Sequence, residues 1–249
     1  MESPNENGRE IFETLVVETG WSLDRLEWRV ADTFRDIPWQ GKDVLEVGCG
    51  RGDFALYLAL FGARQVTALD PEGAGGGARK VQVLRERLSK LTVRNFSFIP
   101  VGIEDFQGQA SGFDLVFGNS VFEHIYETKI PLEANPKAWE RYRNVFDHIH
   151  HLLRPGGALV FTDASRSSLW SLLRRVTRTK LRSPLSPSTY WEIHQKPQTW
   201  FRLARDSGFR KIRLTWRVPY PLRIMPWVAD NGLFQYFTFA SFTFSAFKD

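Results

Sequence analysis

The segment Glu46-Val47-Gly48-Cys49-Gly50-Arg51-Gly52-Asp53 carries glycine at every second position from Gly48 to Gly52, between a run that patterns as a strand and one that patterns as a helix. Glycine there lets the backbone turn tightly and lets a ligand lie against the main chain, because no Cβ intervenes. That strand–turn–helix context is what a nucleotide-type cofactor turn requires. A dinucleotide fingerprint would put its third glycine where Asp53 stands, so a pyrophosphate is disfavoured. A cationic ligand reverses the argument: Glu46 and Asp53 oppose an anion and suit an ammonium or sulfonium group. Roughly 20 residues beyond the glycines stands Asp70, placed where a carboxylate accepts hydrogen bonds from ribose hydroxyls. Histidines are the natural proton carriers near neutral pH. His124 and His194 are the candidates for catalysis or acceptor contact, the first beside Glu123 and the second near Tyr190 and Trp191. His148, His150 and His151 fall on different faces of one helical stretch, so a three-ligand metal site is not expected there, and no metal is assigned.

The elements that must hold these residues follow from periodicity. One or two helical stretches within Ile11 to Phe34 place Leu23, Leu26, Val30 and Phe34 on one side. Strands are expected at Asp43–Val47, Val66–Leu69, Phe96–Val101, Leu115–Phe117 and Ala158–Phe161. Helices are expected at Asp53–Phe61, Ala78–Leu91 and Lys137–Leu153 between them. Strands separated by helices imply βαβ units and right-handed crossovers. Trp200–Ser207 reads as a further helix, Lys211–Val218 and Phe237–Phe247 as strands. The organisation expected is an N-terminal helical cap at 1–40 and one domain at 41–249, with an acceptor-side insert at 163–200.

At this point the chain resembles the class I S-adenosylmethionine-dependent methyltransferases. The likeness runs in order through Asp43-Val44-Leu45-Glu46-Val47-Gly48-Cys49-Gly50-Arg51-Gly52, Ala68-Leu69-Asp70-Pro71, Phe113 to Ile125, and Leu153-Arg154-Pro155-Gly156-Gly157-Ala158-Leu159. It implies an α/β fold, a doubly wound, mainly parallel seven-stranded sheet (Rossmann-like) with its last strand antiparallel, plus a helical lid insert. It implies S-adenosylmethionine as cofactor, with Glu46, Gly48, Gly50 and Gly52 along its methionine and ribose portions and Asp70, with Pro71, at the ribose. Ile103 and Glu104 would flank the adenine, and Asn119 and Ser120 would face the sulfonium. Many relatives carry an acid where Gly102 stands, and Glu104 or Asp105 is the substitute candidate. The glycine-containing run Gly73 to Gly77 departs from the usual helix start after Asp70.

The expected function is methyl transfer to a small organic acceptor, through oxygen or nitrogen, including hydrophobic or lipid-like acceptors. Cys49, the sole cysteine, lies inside the cofactor turn, so it forms no internal disulfide and cannot serve as the nucleophile of pyrimidine methylation. The sequence Asn119-Ser120-Val121-Phe122 also lacks the paired prolines of exocyclic base methylation. Nucleic acid is therefore not expected as the partner. The stretch 167–182 reads either as a solvated lid helix or as a basic amphipathic helix touching a membrane surface or an anionic substrate. An RNA methyltransferase and a non-catalytic cofactor-binding protein stay open as alternatives. The net charge of +5, from 33 Lys and Arg against 28 Asp and Glu, is too small to choose among them. A polar start without the pattern of a signal peptide suggests a cytoplasmic protein, and oligomeric state is not addressed by any motif.

Overall fold

The computed structural model describes residues 6–18, 20–71, 77–167, 176–177, 193–217, 220 and 241–249. Strand β1 (Asp43–Val47) lies between two parallel neighbours, which explains why Val44, Leu45, Glu46 and Val47 are all buried. It pairs with β2 (Gln65–Leu69), setting Val47 opposite Leu69, and with β4 (Phe113–Asn119), while β2 pairs in parallel with β3 (Phe96–Ile99). With β5 (Leu153–Ala164), β6 (Arg210–Trp216) and β7 (Ser241–Phe247), the sheet order is β3-β2-β1-β4-β5-β7-β6. Strands β6 and β7 are antiparallel. This is the doubly wound α/β class expected from the sequence.

The helices are α1 (Glu6–Val17), α2 (Leu23–Thr33), α3 (Asp53–Leu60), α4 (Gly77–Lys90), α5 (Phe122–Ile125), α6 (Pro136–Leu152) and α7 (Pro197–Asp206). Helix α2 starts where the Ser22 hydroxyl accepts the Arg25 N–H, and it buries Leu23, Leu26 and Val30 at helical spacing. Most boundaries fall within a residue or two of expectation. The exceptions are β5, expected as Ala158–Phe161 and observed as Leu153–Ala164, and α7, expected from Trp200 and observed from Pro197. Pro155-Gly156-Gly157 does not make a separate turn after α6. Extended backbone begins at Leu153, and Gly156 absorbs the irregularity with a φ of +75°. The strand expected at Phe237–Phe247 is described from Ser241 onward. The basic stretch 167–182, apart from Ser167, Val176 and Thr177, lies outside the described residues, as do Tyr190, Trp191 and Gly73 to Gly76. Among the described residues no helix is long and apolar enough to cross a membrane.

The chain forms two compact units, residues 1–119 with 151–159, and residues 120–150 with 160–249. In the first, Arg87 of α4 is 2% exposed and ties elements together. Its Nη1 donates to the Arg51 carbonyl at 2.8 Å and to Asp53 Oδ1 at 2.6 Å, and its Nη2 donates to the Leu15 carbonyl at the end of α1 at 3.0 Å. One guanidinium thus joins the first helix, the glycine turn and α3. At the opposite end of β1, Arg64 donates to both Asp43 oxygens and Arg154 donates to Oδ2 of the same carboxylate. Those hydrogen bonds, Arg64's foremost, hold the Asp43 carboxyl below its ordinary pKa in spite of partial burial.

The second unit is built on stacked and edge-on aromatic rings. Phe122 stacks on Phe161 at 4.4 Å, Phe161 on Phe244 at 4.7 Å, and Phe146 on Trp200 at 6.1 Å. Trp200 itself is fully buried, with Tyr142 edge-on at 5.5 Å.

Two stability outcomes follow. Arg87→Leu removes a buried cation and strands part of Asp53's pairing, so urea unfolding should show a loss of about 3 kcal/mol; a change below about 0.5 kcal/mol would mean that α1 is held by other contacts. The Asp43 pairing contributes fully above the unfolded-state pKa and is lost as pH falls through the depressed folded value. Asp43→Asn should therefore flatten the fall in melting temperature below about pH 4. An unchanged acid limb in the variant would contradict this.

Candidate functional site

The loop from β1 into α3 owes its shape to glycine. Gly48, Gly50 and Gly52 have φ values of +69°, +55° and +73°, a region that costs residues with a Cβ about 1–2 kcal/mol each. At Gly52 a Cβ would also stand 2.5 Å from Leu84 Cδ1, in a packed interior. The loop is pinned to the end of β2: Cys49 N–H donates to the Leu69 carbonyl at 2.9 Å, and Gly50 N–H donates to Asp70 Oδ2 at 2.8 Å. Gly48, Gly50 and Asp70, which the sequence singled out together, are thereby brought together.

Charge is distributed differently from the sequence expectation. Asp53, expected to favour a cationic ligand, is an internal partner of Arg87 at 2.6 Å and of Arg51 at 3.0 Å. A carboxylate so paired adds little to the field felt by a ligand. Glu46 is 2% exposed, and its Oε2 has no hydrogen-bond partner. Burial pushes its carboxyl well above the ordinary range, with Asp53 adding repulsion, so Glu46 favours a proton or a nearby positive charge. Burial also raises Asp70, partly offset by the Gly50 N–H and the charge of Lys80. A carboxylate kept at that disadvantage costs stability at neutral pH, a common mark of a binding position. Burial pushes the Cys49 thiol upward as well, consistent with packing rather than reactivity.

The other candidates take distinct places. Ile103 is 2% exposed, whereas Pro71 and Glu104 are exposed. Asn119 Oδ1 accepts a hydrogen bond from Arg29 Nη2 of α2 at 2.8 Å. Arg29 is in turn stacked over Trp21 at 4.7 Å and Phe54 at 5.7 Å. Ser120 is exposed with a φ of +52°, a strained value for a non-glycine residue, and its N–H donates to the Thr162 carbonyl at 2.9 Å.

In the second unit the two candidate histidines separate. His124, on α5, has a side chain 45% exposed, and its Nδ1 lies 2.8 Å from Glu127 Oε1. His194 is buried. Its Nδ1 lies 3.4 Å from Asp163 Oδ1 and 3.9 Å from Glu123 Oε1, so the structure gathers an unforeseen trio of ionisable groups. Glu123 is positioned through α5, whose Phe122 carbonyl accepts the buried Tyr142 hydroxyl at 2.7 Å. Asp163 comes from the end of β5. His194 is fixed by a parallel bridge between Ser165 and Gln195, and the Gln195 side chain reaches Ile193 and Leu132. Burial, then the neighbouring Asp163, raises the Glu123 carboxyl to about 8. Burial raises Asp163 to about 7. The sequence signal for Glu123 was its adjacency to His124, and for Asp163 an acid closing a long apolar strand.

Residues 25–218 match the model of a family described as a methyltransferase domain. Over 155 residues the chain is 32% identical to the tRNA U34 carboxymethyltransferase of Methylococcus capsulatus, covering 59% of this chain and 39% of that protein. It is 34% identical over 103 residues to the ubiquinone biosynthesis O-methyltransferase of Methylocella silvestris, covering 41% and 38% respectively. The chain thus spans about two fifths of the length of these curated relatives. In fold it is similar to the solved S-adenosylmethionine dependent methyltransferase of Mesorhizobium loti, with a TM-score of 0.60 at 16% identity over 90% of this chain and 98% of that one.

Gly52→Ala should destabilise the first unit by about 2 kcal/mol or more, combining left-handed strain with overpacking. Chemical denaturation checks it, and a neutral result would mean that the turn relaxes freely.

Proposed function

The chain belongs to the methyltransferase-domain family, and from that premise we propose that it binds S-adenosylmethionine on the β1–α3 loop and methylates a small hydroxyl- or amine-bearing organic molecule. The observation that carries this reading is the Gly50–Asp70 hydrogen bond, which sets an open left-handed glycine turn beside a carboxylate at the carboxyl edge of a parallel sheet. The residues present fit such a ligand. Main chain at Gly48 and Gly50 offers close approach, Asp70 Oδ1 is the oxygen assigned to the ribose hydroxyls, and the buried Glu46 Oε2 lacks a hydrogen-bond partner. Ile103 and Glu104 are assigned to the adenine side, and Asn119 and Ser120 to the end where the methyl group leaves.

When bound, that cofactor supplies a methyl group on a positively charged sulfur, open to in-line displacement. The protein's part is then largely orientation, which can supply much of the rate. Arg29 holds Asn119 by its side-chain oxygen, fixing the end of β4. For a hydroxyl acceptor, His124 is the group we assign to receive the proton: an Nδ1–H donated to Glu127 leaves Nε2 as the proton acceptor. The stretch 163–200, with Asp163 and His194 near its two ends, is assigned to the acceptor side.

A hydroxyl acceptor is supported by the likeness to the ubiquinone biosynthesis O-methyltransferase. The likeness to a tRNA carboxymethyltransferase, together with Arg174, Arg175, Arg178, Lys180 and Arg182, supports a second reading in which the acceptor is RNA. That reading predicts transfer RNA binding that weakens steeply with salt, as release of counterions from several phosphates demands.

Calorimetric titration with S-adenosylmethionine and its demethylated product tests the first claim. Asp70→Ala should weaken both by about 10–100-fold, the loss of a hydrogen bond to a charged group; equal affinity in the variant would remove Asp70 from the site. His124→Ala should leave cofactor affinity unchanged and lower kcat on the order of a hundredfold with a hydroxyl acceptor. An undiminished kcat would relieve His124 of that role.

A further inference from the structure

We infer that Glu123, Asp163 and His194 form a site for one first-row divalent cation of the Zn2+ or Mn2+ class, taking a carboxylate oxygen from each acid and the imidazole Nδ1. The site stands on its own geometry and does not require the methyl-transfer reading.

All three groups are buried, and one potential ligand atom from each lies within 4.8 Å of the others. Ligands held about 2.1 Å from a tetrahedral metal are about 3.4 Å apart. The His194–Asp163 separation of 3.4 Å meets that value, and the His194–Glu123 separation of 3.9 Å exceeds it by about 0.5 Å. A small side-chain rotation closes such a gap.

The second observation is independent of that spacing. Glu123 Oε2 and Asp163 Oδ2 are buried oxygens without a hydrogen-bond partner. A buried carboxylate oxygen with no donor costs several times an ordinary hydrogen bond, and two in one pocket repel each other as well. A divalent cation removes both penalties, since two carboxylates and a neutral imidazole balance its charge.

The donor set narrows the metal. One nitrogen and two carboxylates, with no thiolate, suit Zn2+ or Mn2+. Mg2+ is less suited, because it keeps several waters and demands an octahedral shell that a dry pocket does not provide. Three protein ligands leave a further coordination position, as in catalytic rather than structural zinc sites. The exposed His124 lies next to the trio, its Nε2 3.9 Å from Glu123 Oε1. Phe122 and Phe161, close in sequence to Glu123 and Asp163, pack on each other and on Trp200, whose indole also interacts with Asp163.

The competing account is that the two acids share a proton and hold no metal. Full-length protein stripped with a chelator, then titrated with ZnCl2, MnCl2 and MgCl2 by calorimetry and thermal melting, separates the two without any cofactor present. The expected result is one equivalent of Zn2+ or Mn2+ with a raised melting temperature, much weaker Mg2+ binding, and at least a tenfold loss of affinity in Glu123→Gln and Asp163→Asn. Both replacements keep the side-chain volume, and near-ultraviolet circular dichroism verifies the packing of Trp200. If either variant fails to fold, His194→Gln carries the same expectation. Absence of stoichiometric Zn2+ and Mn2+ binding by folded wild-type protein, or equal affinity in the folded variants, would overturn the site and leave the shared proton. Neither result alters the S-adenosylmethionine titration, so the two claims fail separately.

Discussion

The register of β1 against β2 is the constraint on which the candidate cofactor site depends. With Val47 opposite Leu69, the next residues of each strand arrive at the same edge, and the Cys49 N–H meets the Leu69 carbonyl. Gly50 then reaches the Asp70 carboxylate. A shift of one residue would carry the Leu69 carbonyl and the Asp70 carboxylate away from the Cys49 and Gly50 N–H groups, so the register protects the polar contact at the strand ends. The loop between is built of glycines because the tight return from strand to helix takes a positive φ at all three, and at Gly52 a Cβ would also meet Leu84.

Around this edge the protein spends charge on structure. Asp53 and Arg87 look like free charges in the sequence, yet they hold α1, the turn and α3 to one another. Glu46 and Asp70 are kept at raised pKa values by burial, and neither has a full ion pair among its described contacts. The contrast between satisfied and unsatisfied acids within one loop separates those that support the fold from those available to a ligand. The second unit repeats the contrast. Asp43 in the first unit is matched by two arginines, whereas Glu123 and Asp163 lie beside one buried histidine.

Much of the first unit was legible because its signals are local. The strand at Asp43–Val47, the alternating glycines and the acid after β2 are contiguous patterns with direct structural meaning, and each is where the sequence placed it. What was not legible depends on contacts between distant segments. The Arg87–Asp53 pair requires α4 to pack across the turn, which no periodicity announces. The extent of β5 was not legible because Pro155-Gly156-Gly157 has the composition of a turn, yet it lies inside the strand, with Gly156 taking a positive φ. His194 stood out for its type and its place near Tyr190 and Trp191. Its partners come from α5 and the end of β5, so the trio exists only once the chain has folded.

The account's central claim is that the turn after β1 and Asp70 together hold S-adenosylmethionine. A crystal structure of the protein with the demethylated cofactor tests it most directly. The ribose hydroxyls should lie within about 3 Å of Asp70, with the methionine portion along Gly48 and Gly50. Well-ordered ligand elsewhere, with the β1–α3 loop unaltered and Asp70 bonded only to Gly50, would contradict it.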